Sequence, residues 1–198
     1  MDDPADTKLG ALERDDELAE LILRWQQRLL FWACNGLLTK AAQTALALPD
    51  HHPGLDAAVA RIAAADFTEL PAILPLDWEE MEGSACAYSP ERQLILINRE
   101  WLDTAVAEQV FAVLTEQLGH HFDVLFNPVD TPGDEGERFL ECLRAGGSGE
   151  DTLTQFADEE RHGVVHLHGE IIAVEEAGVS AVCLDLRDLP HPSELPPS

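Results

Sequence analysis

The residues best placed to do chemistry lie together in the run Glu116-Gln117-Leu118-Gly119-His120-His121-Phe122-Asp123. If this run is helical, Glu116, His120 and Asp123 stand at i, i+4 and i+7 and share one face, with Gln117 and His121 on the adjoining flank. The flanking residues are strongly apolar, from Val106 and Val110 through Phe111, Val113 and Leu114 to Phe122 and Leu125. A carboxylate held among such side chains without a partner is very costly. One partner is a divalent cation. The other is a metal-free network in which His120 hydrogen-bonds Glu135 or Asp123.

In the H-E-x-x-H helix, two ligands one turn apart clamp Zn²⁺ while the intervening Glu activates water. In that frame Glu116 stands where the first ligand would be, Gln117 where the general base would be and His120 where the second ligand would be. The string resembles the H-E-L-G-H-H helix of zincin metallopeptidases, glycine included. The order of buried strand, polar helix and short acidic helix is similar to the zincin core. The resemblance implies Zn²⁺ and a third ligand from downstream, with Glu135 the first choice and Asp134 the second. A carboxylate in place of imidazole tilts the site toward harder ions such as Ca²⁺, or weakens zinc. An amide cannot take a proton from water, so Gln117 removes the base. Either a natural pseudoenzyme or an engineered Glu to Gln inactivation would account for it.

A longer resemblance covers roughly the C-terminal half. It is carried by I-L-I-N-x-x-W-L from Ile95, V-L-T-E-Q-L-G-H-H-F-D from Val113, D-T-P-G-D-E-G-E-R-F from Asp130, and the stretch Asp158 to Ala177. These resemble a domain of large bacterial secreted or surface proteins whose helix usually reads E-E-x-G-H, followed by D-[ST]-P-G-D-E-G. The match implies fold more than reaction, and a secreted or cytoplasmic bacterial setting. Its usual Glu stands where this chain has Gln117.

Other candidates have plainer readings beside the chemical one. Pro132-Gly133 makes a tight turn, and Asp130 and Asp134 can cap turn and helix, where the macrodipole favours anions. His121 points to a different flank from His120 and reads as a hydrogen-bonded or surface histidine. Tyr88 could steady an oxyanion near the cleft or simply pack in a hairpin. His162, His166 and His168 read as exposed hairpin histidines, although His166 and His168 have a spacing that can bind metal if the strand continues to the turn. Trp25 and Trp32 read as core. The cysteines Cys34, Cys86, Cys142 and Cys183 form no C-x-x-C pair and read as four buried thiols, with two disulfides of unassigned pairing as the alternative.

The elements that must position these groups follow from periodicity. An acidic, disordered lead-in is expected over residues 1–9, a helical region over 10–66, a zincin-like α+β domain over 67–186 and a proline-rich tail over 187–198. Within the helical region the spacing predicts helices over 12–32, 37–48 and 55–65, either packed on the rest or forming a separate interaction module. Pro71 and Pro75 lead into an extended region at 77–80. A β-hairpin is predicted over 85–88 and 94–97, with its second strand as the edge that an extended substrate would pair with. Asp103 or Thr104 should cap the polar helix, which ends at Asn127-Pro128. A short helix over 134–143, a hairpin turning at His168-Gly169 and a last strand over 182–186 complete the α+β fold with its helical N-terminal extension.

The composition narrows the function classes. The 198 residues carry 38 acidic and 12 basic side chains, a formal charge of −26. Nucleic acid and anionic membranes are therefore excluded as partners. With 45% hydrophobic residues the chain is a folded domain rather than an acidic tail. No segment approaches a bilayer span, and the acidic start is unlike a signal peptide. Three functions remain: a zincin-like metal-dependent peptidase inactive as written, acting on a protein or peptide; a non-catalytic protein-binding module of that fold; and an acidic interaction protein, such as a nucleic-acid mimic or an inhibitor of a basic target. The oligomeric state is not legible at this level.

Overall fold

The computed structural model describes residues 4–127, 133–147 and 162–177. Asp130, Cys183 and the strand expected over 182–186 lie outside them. The elements run α1 (Pro4–Cys34), α2 (Leu37–Ala45), α3 (Pro53–Ala63), β1 (Ala72–Leu76), β2 (Cys86–Ser89), β3 (Leu94–Asn98), α4 (Arg99–Leu102), α5 (Ala107–Phe126), α6 (Glu135–Arg144), β4 (His162–Leu167) and β5 (Glu170–Glu176). The chain is thus mixed α+β. Helix α1 begins at Pro4, so from residue 4 onward the expected lead-in is already helical. It stops at Asn35-Gly36, where Gly36 takes a left-handed φ of 73°.

The three N-terminal helices pack into the main core. Trp25, Leu29 and Trp32 of α1 join Leu38 of α2, Leu55 and Ile62 of α3, and the apolar side chains of α5 in one buried cluster. The Trp25 indole N–H donates to Thr115 Oγ1 at 3.0 Å, and the Arg28 guanidinium sits 4.6 Å from the centre of the Phe111 ring. A helix buried on all sides needs partners all round, and α1 supplies one of them to α5.

The sheet has the order β1-β3-β2-β5-β4, with β1 parallel to β3 and the other neighbours antiparallel. Alternation sends Cys86, Tyr88, Ile95 and Ile97 to the α5 side, while Ala87, Leu96, Val165 and Ile172 form a second cluster around Met81. This arrangement corrects two expectations. Strand β3 is interior, paired with β1 on one side and β2 on the other, so its backbone is not an open edge for substrate. The extended segment is 72–76 rather than 77–80, which turns instead, with the Glu80 and Met81 N–H groups donating to the Asp77 carbonyl. Pro75 is tolerated because β1 is an edge strand.

Two further boundaries differ from the reading by periodicity. The Asn98 side chain caps the short α4, and α5 begins only after Val106, whose N–H donates to Gln109 Oε1 at 3.0 Å. Neither Asp103 nor Thr104 is the cap. Cys86 and Cys142 are buried free thiols as expected, but Cys34 is exposed. Among the described residues no helix is long and apolar enough to cross a membrane.

Replacing Trp25 with Phe removes the one donor that ties α1 to Thr115 within the core. The expected loss is about 1–3 kcal/mol of unfolding free energy, read from urea denaturation. An unchanged midpoint would mean that α1 is not docked on α5 in solution.

Candidate metal centre

Three elements bring the polar groups together. Helix α5 carries Glu116 and His120 one turn apart, with 0% and 4% of their surface exposed. The N-terminus of α6 brings Asp134 and Glu135, and β5 brings Glu175. Glu116, His120 and Asp134 each offer a ligand atom within 4.8 Å of the other two, and all three residues are buried.

The approach of α6 to α5 depends on two glycines. A Cβ on Gly119 would lie 2.8 Å from the Gly136 Cα, so the helices touch backbone to backbone. A Cβ on Gly136 would lie 2.4 Å from His120 Nε2 and 2.7 Å from the Glu116 carbonyl oxygen. The Nε2 and Cδ2 atoms of the His120 ring therefore lie against the first turn of α6. The glycine of E-Q-L-G-H has a packing reason, as does the one in D-E-G.

Asp134 is the N-cap of α6, its Oδ1 accepting the Glu137 N–H at 2.7 Å. The same oxygen lies 3.6 Å from His120 Nε2, and Oδ2 is buried with no hydrogen-bond partner among the described residues. Glu135 lies on the other side of the ring, 3.9 Å from Nδ1. Of the two candidates for a third ligand, the geometry groups Asp134 rather than Glu135 with Glu116 and His120. Glu175, which spacing did not single out, approaches Nδ1 to 2.7 Å. Its position comes from register, since Glu175 pairs with Tyr88 across β2 and β5 and so shares the α5 face of the sheet.

The remaining site residues divide plainly. Gln117 is wholly buried, and among the described residues neither atom of its amide has a hydrogen-bond partner. Asp123, three residues beyond His120, is not part of the group formed by Glu116, His120 and Asp134 and accepts from the Asn127 side chain at 2.9 Å. Tyr88 is fully buried in a central strand, and its hydroxyl meets His121 Nδ1 at 2.8 Å, so it is committed to a side chain rather than presented to a cleft. His166 pairs with Glu82 at 2.8 Å, and His168 turns away at a φ of 52°, which separates two residues that an unbroken strand would have put on one face. No histidine of this hairpin joins the centre.

Electrostatics set adjacent histidines in opposite states. Burial alone would lower the pKa of His120, but contact with Glu175 and the charges of Asp134 and Glu116 outweigh it and raise it to about 9. His121 goes down, because burial dominates and the nearby Glu69 backbone offsets it only in part. Burial, with Glu175 adding to it, holds the Tyr88 phenol well above its usual range. Tyr88 therefore keeps its proton and shares a hydrogen bond with a neutral His121. Burial and then the Glu116 charge also raise Cys86, which stays a thiol.

This donor set suits a divalent cation. Two carboxylates and an imidazole converge, His120 Nε2 and Asp134 Oδ2 are buried without a hydrogen-bond partner among the described residues, and loss of the His120 proton would free Nε2 to act as a ligand. The fold and site thus define a mixed α+β protein with a buried cluster of one histidine and two carboxylates. No family model, curated protein or solved structure matches the chain.

Two outcomes are expected. Gly136→Ala forces a methyl into His120 and should cost about 1–3 kcal/mol of stability, measured by thermal and urea unfolding. In the metal-free chain, His120 has a folded pKa above its unfolded value, so its stabilisation is complete below about pH 6.5 and fades as pH rises toward 9. Denaturation midpoints of the wild type should therefore fall across that window relative to His120→Gln, and parallel curves would contradict the assignment.

Proposed function

We propose that the chain is a zincin-like metal-dependent hydrolase domain, most naturally acting on peptides, whose hydrolytic step is disabled by Gln117. The observation that carries this reading is the buried convergence of Glu116, His120 and Asp134 to within 4.8 Å, built from one turn of a helix and the N-cap of the next. A divalent cation bound there supplies Lewis acidity, polarising a scissile carbonyl. The protein's own residues do the rest. Asp134 is anchored through Oδ1 to the Glu137 N–H, which leaves Oδ2 in a set position. Glu175 holds the His120 ring from the Nδ1 side, so that Nε2 turns toward Asp134, as carboxylates behind ligating histidines do generally.

Gln117 has nearly the shape of the missing base. A carboxylate at that position could accept a proton from an attacking water, whereas an amide cannot. Its unpartnered amide is also what favours the second reading, a non-catalytic binding module that retains the metal cluster. Zn²⁺ is the first choice of ion, and the two carboxylates in the set also suit harder cations.

Metal analysis of the wild type and of Gln117→Glu, stripped with chelator and reloaded, tests the reading. About one equivalent of divalent metal is expected in both, lost in His120→Ala, with peptide cleavage in Gln117→Glu alone. Because the metal must displace a proton from His120, uptake at pH 7 should release about one proton and tighten as pH rises toward 9. Absence of metal from both proteins would overturn the proposal. Metal in both without cleavage would select the binding module.

A further inference from the structure

Helix α5 also forms one wall of a cavity of about 520 Å³, distinct from the carboxylate cluster. The other walls are α3 and the segment 66–72 that leads into β1. Ile62, Leu70, Phe122, Leu125 and Phe126 supply an apolar lining, and buried His121 contributes a polar edge. The volume lies within the range of pockets that enclose small organic molecules.

The cavity is held open by the structure around it. Arg61 on α3 donates to Asp66 Oδ2 at 2.9 Å and to Thr68 Oγ1 at 2.7 Å, and pairs with Glu69. Asp66 in turn accepts from the Thr68 N–H at 3.1 Å and from its hydroxyl at 2.7 Å. This network pins segment 66–69 to α3. On the opposite side, Tyr88 holds the His121 ring. Forming the site on binding would therefore cost little ordering entropy.

Charge limits the occupant. Among the described lining residues Arg61 is the only cation, and its guanidinium is already shared among Asp66, Thr68 and Glu69. Two carboxylates against one committed guanidinium leave the rim net negative. An anion would meet no free counter-charge there, and the chain as a whole, at −26, would repel it.

We propose that this cavity binds a small, largely apolar molecule, aromatic or aliphatic, that is neutral or cationic at pH 7. Its apolar body packs on Phe122, Leu125 and Phe126, and its polar end faces Asp66 and Glu69. Glu116, His120 and Asp134 do not line the cavity, so binding does not require the metal centre. The nearest link between the two is His121, one residue along α5 from His120.

Fluorescence titration of the full chain in EDTA tests this with two probes of one shape, 1-aminoanthracene and anthracene-1-carboxylate. Saturable one-to-one binding of the amine is expected, with the carboxylate at least about tenfold weaker. Ala58→Phe, which fills the cavity from α3, should weaken the amine about tenfold or more while circular dichroism stays native. Ala57→Leu serves the same purpose if the larger side chain prevents folding. No saturable binding of the amine, equal affinity in a folded cavity-filled variant, or preference for the carboxylate would each overturn the proposal. Since EDTA removes any metal, none of these outcomes depends on whether the hydrolase reading holds.

Discussion

The backbone contact between α5 and α6 at Gly119 and Gly136 is the constraint on which the site depends. With no Cβ on either residue, the helices come close enough for His120 to lie against the first turn of α6. That turn carries Asp134, whose role as N-cap already requires its carboxylate at the helix end. One packing decision therefore buries the imidazole and places a carboxylate beside it. The core follows from the same geometry. Phe139 and Leu140 of α6 reach the cluster that joins α5 to the α1–α3 layer and to one face of the sheet.

Burial of this kind must be compensated, and it is compensated differently at neighbouring positions. His120 sits among Glu116, Asp134 and Glu175 and is held as a cation at neutral pH when no metal replaces its proton. His121 shares a hydrogen bond with the Tyr88 phenol through Nδ1 and is held neutral. A turn of helix that looks uniformly polar is thus divided between a charged cluster and a neutral hydrogen-bonded pair, and His121 of that pair lines the cavity. The acidity of the chain acquires local meaning here. Most carboxylates among the described residues are at least partly exposed, but Glu116, Asp134 and Glu135 are at most 7% exposed and surround His120. In such surroundings a cation replaces lost solvation most directly.

Much of the fold was legible beforehand where a short-range signal acts alone. The α1 stripe ending at Asn35-Gly36, the strands around Tyr88 and Ile95, the hairpin turning at His168-Gly169 and the polar helix each follow from periodicity and turn residues within a dozen positions. Strand β1 was not legible, because Pro75 argues against a strand unless the strand lies at an edge. Only the parallel pairing of β1 with β3 shows that it does. The same pairing takes away the edge that β3 was expected to present. The start of α5 moved because Asn98 and Gln109 cap locally and outcompete Asp103 and Thr104.

For the site itself, the amino-acid sequence alone determined that Glu116 and His120 share a helix face, that Gln117 leaves no base between them, and that an aspartate caps the next helix. These are consequences of helical spacing and side-chain chemistry. Tertiary structure decided that Asp134 rather than Glu135 joins the group, that Glu175 stands behind His120, and that Tyr88 is spent on His121. The reason is physical. Which of two successive carboxylates meets an imidazole depends on how one helix is rotated against another, and which strand residue faces it depends on register. Both are set by packing between segments far apart in the chain, where a shift of one residue changes the face presented.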